Sequence, residues 1–182
     1  MPGYLVPTNT VDQSTTVGGY NVFEAVNSGA ILQVQQVTKT DDWGTFSTTY
    51  IDVTGLAVSI TPTSSSSKIL VIGNISLGSS TVDRYSVFGR LMRGSTPIHV
   101  YTGGGNYDQG TFSYQMGGFE GPMSQSFTFL DSPSTTSATT YKVQVRGEAP
   151  HTAYINRGLE ADGNTSITPR VVSSITLMEV AG

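Results

Sequence analysis

His99 and His151 are the side chains whose ordinary pKa would let them carry protons near neutral pH. Both look incidental to chemistry. His99 sits inside Pro97-Ile98-His99-Val100-Tyr101, an alternating strand pattern, and His151 follows Pro150 in a turn. Serines are abundant, yet no Gly-x-Ser-x-Gly elbow is present to expose one as a nucleophile. Cysteine is absent, which removes thiolate catalysis, disulfides and cysteine-ligated zinc. Asp41-Asp42 and Glu160-Ala161-Asp162-Gly163-Asn164 offer oxygen ligands, but neither has the spacing of a twelve-residue calcium loop, and Asp162-Gly163 is a turn dipeptide. No metal and no cofactor is therefore expected. Gly103-Gly104-Gly105 would cradle a phosphate only ahead of a helix, and here it leads through Asn106-Tyr107-Asp108 into further strand. That stretch is expected to be a loop tip, with Asn106, Tyr107 and Asp108 available for recognition. Trp43, beside Asp41, Asp42 and Gly44, is expected to plug the interior from a loop.

Strands must position these residues. In Ser126 to Arg146, two alternating runs flank a Ser/Thr/Pro connector; Tyr141, Val143 and Val145 share one face while Lys142, Gln144 and Arg146 share the other. Similar signals recur at 31–38, 48–53, 56–61, 68–77, 84–93, 98–101, 110–116, 152–156 and 173–180, separated by Gly, Pro, Ser and Asn. The fold class expected is all-β, an antiparallel sandwich over residues 30–182. Residues 1–29 carry isolated apolar side chains without a period and read as an N-terminal docking arm, with Tyr4, Leu5, Val6, Tyr20, Val22 and Phe23 as its contacts.

Charge narrows the partners. Nine Lys and Arg against thirteen Asp and Glu argue against nucleic acid. No apolar run of membrane-spanning length occurs, and Met1-Pro-Gly-Tyr lacks the basic start of a secretory signal, so a protein made in a cytoplasm, without membrane insertion, is expected. The runs 68–72 and 175–180 are apolar on both faces, and a lone sandwich buries one face only. An oligomer is expected, with Ile69, Val71, Ile175, Leu177 and Met178 at its interface; the alternative is that residues 1–29 cover one of these strands.

Several segments together carry a resemblance: 31–37, 47–62, 67–71, 90–98, 129–133 with 140–147, and 175–180. In that order they resemble the β-rich module of tailed-phage virion proteins, notably marine and cyanobacterial ones, often labelled tail fibre. The resemblance implies a jelly-roll, tumour-necrosis-factor-like head that packs as a homotrimer and acts by binding, with no enzymatic role. Residues 1–29 lack the repeats or coiled-coil shaft of a complete fibre. A short arm on one compact head fits a capsid decoration or cement protein on the virion, assembled in the host cytoplasm and bound to the major capsid protein. The alternative is a tail-fibre head, attached to a tail or baseplate protein and touching a host-surface glycan.

Overall fold

The computed structural model of the chain describes residues 16–17, 20–21, 28–81, 83–105, 108–117, 121–159 and 169–182. Two short N-terminal strands, β1 (Thr16–Val17) and β2 (Tyr20–Asn21), pair with each other. The remaining strands are β3 (Ile31–Lys39), β4 (Trp43–Thr45), β5 (Ile51–Ile60), β6 (Lys68–Ser79), β7 (Tyr85–Arg93), β8 (Thr96–Ile98) and β9 (Phe112–Met116). They continue with β10 (Met123–Asp131), β11 (Thr139–Arg146), β12 (Ala153–Ile155) and β13 (Ser173–Val180). No helix occurs among the described residues.

Every pairing is antiparallel. One sheet runs β3-β13-β6-β10, with β4 and β12 extending it beside the far end of β6; the other runs β5-β11-β7, with β8 and β9 both beside β7. The chain crosses repeatedly between them: β3 to β5, β6 to β7, β9 to β10, β10 to β11, β11 to β13. That alternation is jelly-roll order, and the molecule is an all-β sandwich.

The period of two explains which side chains meet inside. Tyr141, Val143 and Val145 on β11 and Val87 and Leu91 on β7 face Ile69, Val71 and Ile75 on β6 and Ile175 and Leu177 on β13, and none of them has exposed surface. Burial of each aliphatic side chain of this kind contributes about 1.5–3 kcal/mol. The result corrects the interface assignment of Ile69, Val71, Ile175 and Leu177: a single chain already encloses them, so they have no surface left for a second subunit.

Two glycines set the thickness of the middle of the core. Gly73 stands opposite Phe127 across the β6/β10 ladder and Gly89 opposite Phe112 across β7/β9. Each ring lies over its glycine, where a Cβ would overlap it. The two rings then stack on one another between the sheets, centroids 5.5 Å apart and nearly parallel at 5°.

Three buried polar groups are held by several partners each. Asp131, at the end of β10, accepts from Arg93 Nη1 at 2.8 and 2.9 Å and from the Tyr141 hydroxyl at 2.6 Å, which joins the two sheets. Asn156 has φ of 65° and donates to the carbonyls of Lys39 and Asp41 at 2.9 Å each, while its Oδ1 accepts from Ser173 Oγ at 2.6 Å. Fully buried Glu179 on β13 accepts from Gln33 Nε2 at 2.6 Å and from both the amide and the hydroxyl of Thr63 at 2.7 Å. Burial alone would raise this carboxyl, but those donors outweigh it and hold the pKa at about 2. Through them the serine-rich connector after β5 is clamped onto the β3/β13 pair.

Several boundaries differ from expectation. Residues 48–53 and 56–61 are not two strands; β5 is one strand broken by a bulge, with Gly55 at φ of 86° between the segments paired to Gln144 and to Lys142. Trp43 lies in a short strand instead of a loop, partly buried against the core. The strand expected at 98–101 ends at Ile98. The two runs of 126–146 belong to opposite sheets, and their Ser/Thr/Pro connector is a crossover between them.

Candidate functional site

The outward face of the β3-β13-β6-β10 sheet is the distinctive surface. Alternation turns Leu70 and Ile72 of β6, Met178 and Val180 of β13, Val34 of β3 and Leu130 of β10 away from the core. Register then aligns them. Leu130, Leu70, Met178 and Val34 are consecutive partners across all four strands, so they form one unbroken apolar row. On one side lies the row Thr128, Ile72, Thr176 and Gln36; on the other, Val180 pairs with Lys68 and Ile31. Val34 is 52% exposed, Ile31 49%, Leu130 47% and Ile72 37%. A bulge between Glu179 and Val180 leaves Leu32 also open to solvent. Met178 is thus the one residue of the expected interface set that lies on an outer surface, half-buried by its neighbours.

Charge is nearly absent from this face. Ser126, Asn74, Ser174 and Thr38 continue it in uncharged polar residues, Gln36 Nε2 donates to Thr176 Oγ1 at 2.8 Å, and among these aligned positions only Lys68 is ionised.

The opposite sheet is built differently. Asp52 accepts from Lys142 Nζ at 2.6 Å and Gln144 Nε2 at 2.7 Å, which holds its carboxyl below the usual range. Arg90 Nε donates to Gln144 Oε1 at 2.8 Å, and its guanidinium lies 4.1 Å from the Tyr50 ring centre. Arg146 lies 4.1 Å from the Phe88 ring centre and grips Asp108 through two nitrogens. Each of these charges already has a partner within the chain.

Asp108 is the described member of the expected recognition loop, and Arg146 fastens it to β11. A small cleft beside it, about 150 Å³, is lined by Phe88, Asp108, Gly110, Thr111, Phe112 and Ser113. Asn106 and Tyr107 lie outside the described residues, as do Tyr4, Leu5, Val6, Val22 and Phe23 of the arm and the acidic stretch 160–164. Tyr20 lies in β2. The histidines take part in packing: His99 stacks on Phe129 at 4.7 Å, and His151 sets its ring edge against Tyr85, whose hydroxyl donates to the His151 carbonyl at 2.8 Å. Among the described residues, no three His, Cys, Asp or Glu side chains cluster as metal ligands.

The exposed apolar row escaped sequence reasoning by one position. The two-sided pattern of 68–72 and 175–180 was the correct signal, but periodicity alone does not say which face is interior. In comparisons with known proteins, no family model matches the chain. No curated protein matches it significantly either.

Proposed function

We propose that this chain is a structural component of a tailed-phage virion, a homotrimeric capsid decoration protein without enzymatic activity. Its N-terminal arm docks on the major capsid protein, and its sandwich sits above the shell. The observation that carries this reading is the fixed point from which the arm leaves the sandwich. Gly29 N donates to the Ala181 carbonyl at 2.8 Å and Ala181 N to the Ala30 carbonyl at 2.9 Å, so the chain enters β3 tied to the end of β13. In a symmetric trimer three arms would leave from equivalent anchored points, and simultaneous docking strengthens weak contacts by effective concentration. The segments that resemble phage virion modules, together with an exposed sheet face that carries Lys68 as the one charge among its aligned positions, support the same reading.

Removing residues 1–27 tests it. The described core and the Gly29–Ala181 tie are retained, so the shortened chain is expected to fold, yet to lose occupancy on purified particles. Occupancy equal to that of the full chain would refute arm docking. A second reading, a tail-fibre head that binds a host glycan, is favoured by the Asp108 cleft with its aromatic wall and hydroxyl-bearing rim. Density on the tail in particle images, with binding to host cells abolished by changes at Asp108, would replace the first reading with this one.

A further inference from the structure

We infer that the cleft between the 132–139 crossover and the β7–β8 turn is a carboxylate-binding site, and that its ligand is an acidic side chain of the protein surface on which the sandwich stands. The inference rests on the docking proposed above and names a second contact beside the arm.

The cleft has a volume of about 330 Å³, and its walls include Arg93, Pro133, Thr135, Ala138 and Thr139. Arg93 is the charged group among its lining residues. Its Nη1 donates to the two Asp131 oxygens at 2.8 and 2.9 Å and to the Ser132 carbonyl at 3.4 Å, whereas among the described residues Nε and Nη2 have no acceptor. Those two nitrogens form one edge of the guanidinium, and a planar carboxylate is the acceptor that takes both of their N–H groups at once. Asp131 fixes the group from behind. Its side chain is 7% exposed against 31% for Arg93, and it accepts from the Tyr141 hydroxyl as well. The pair therefore turns its cationic end to the cleft, beside the hydroxyls of Thr135 and Thr139.

Position says what brings the carboxylate. Asp131 stands opposite Ile69, Lys68 opposite Val180, Val180 opposite Ile31, and Thr139 opposite Ile60, so the cleft opens at the end of the sandwich from which the arm leaves. The charged side chains of that end are one-sided in what they show to solvent. Asp131 and Glu179 are enclosed, while Lys68 is exposed and Arg93 partly so. The whole chain carries a net charge of −4, so its excess of acid lies elsewhere, and this end is the complement of an acidic surface.

The test is binding of the full chain to purified particles that lack it, read as occupancy at graded concentrations. Ala138 is exposed in the crossover, so it accepts a longer side chain without disturbing the Arg93–Asp131 pair, and circular dichroism should show its variants folded. Ala138→Glu offers Arg93 a carboxylate from its own chain and should weaken binding about 10-fold or more, the worth of one charge-assisted contact. Ala138→Lys, of similar bulk and opposite charge, should bind at least as tightly as wild type. Equal losses in both variants would make the effect one of bulk and overturn the carboxylate assignment. Wild-type binding by both variants would take the cleft out of the contact and overturn the inference, while arm docking stood. A wild-type chain that leaves the particles bare would end the inference and the docking together.

Discussion

Replacing Gly73 by alanine should destabilise the sandwich, and removing the Phe127 ring as well should undo part of the damage. In the native chain the Phe127 ring occupies the space where a side chain at Gly73 would begin, and it stacks on Phe112 from the other sheet at 5.5 Å. The methyl group added by Gly73→Ala would push Phe127 toward Phe112, an overpacking cost of about 1–3 kcal/mol, less the few tenths gained by ordering a glycine. Phe127→Ala alone leaves a cavity between the sheets and should cost about 3–5 kcal/mol. In the double variant the new methyl meets no ring and fills part of the void, so the total should fall short of the sum by about 1–2 kcal/mol. Urea unfolding of the four proteins at one fixed concentration measures the cycle, fixed because association shifts apparent stability. Additivity within about 0.5 kcal/mol would show that Phe127 does not sit over Gly73, and would refute the account of the core's centre.

Two titrations probe the buried polar groups. The folded-state pKa of Glu179, about 2, lies below its ordinary 4.5, so its contribution to stability is complete above about pH 4.5 and is lost as pH falls toward 2. Glu179→Gln should therefore be less stable than wild type at pH 7, with the gap closing across that acid window; a gap constant with pH would contradict the clamp. Tyr141 is raised far above an ordinary phenol, first by burial and then by the adjacent Asp131 carboxylate. Tyr141→Phe should leave the tyrosinate absorbance of the folded protein unchanged up to about pH 11, and cost about 1–2 kcal/mol in unfolding. Loss of one tyrosinate's absorbance from that signal would place the hydroxyl in water.

What the sequence disclosed was what a period of two can encode. Alternation at 140–146 correctly placed Tyr141, Val143 and Val145 inside, and apolar character on both faces of 68–72 correctly marked strands with one face left over. Which face was left over depends on register with β13 and β10, partners roughly 100 and 60 residues away, and no local pattern contains that. The same limit hid the crossover inside 126–146 and the continuity of β5 through Gly55, where a bulge looked like a turn between two strands. Nothing in the local sequence marks Asp131 and Glu179 as buried and paired, because their partners Arg93, Tyr141, Gln33 and Thr63 come from other strands and connectors. Asp108 was singled out for its loop, but its pairing with Arg146 came only with the fold.

The pairing of β13 with both β3 and β6 also governs how this molecule is made. β3 and β6 are synthesised early, yet both pair with β13, the last strand in the chain: Val37 with Ile175, and Val71 with Leu177. Until 173–180 pair, the first sheet lacks the strand between β3 and β6, and β6 is without that partner along Lys68–Asn74. Folding of this chain is therefore expected to be slow for its size, because its sheets are assembled by pairings between strands far apart in sequence. During that wait one edge of β6 is left unpaired, the period in which the protein depends most on being kept apart from its neighbours.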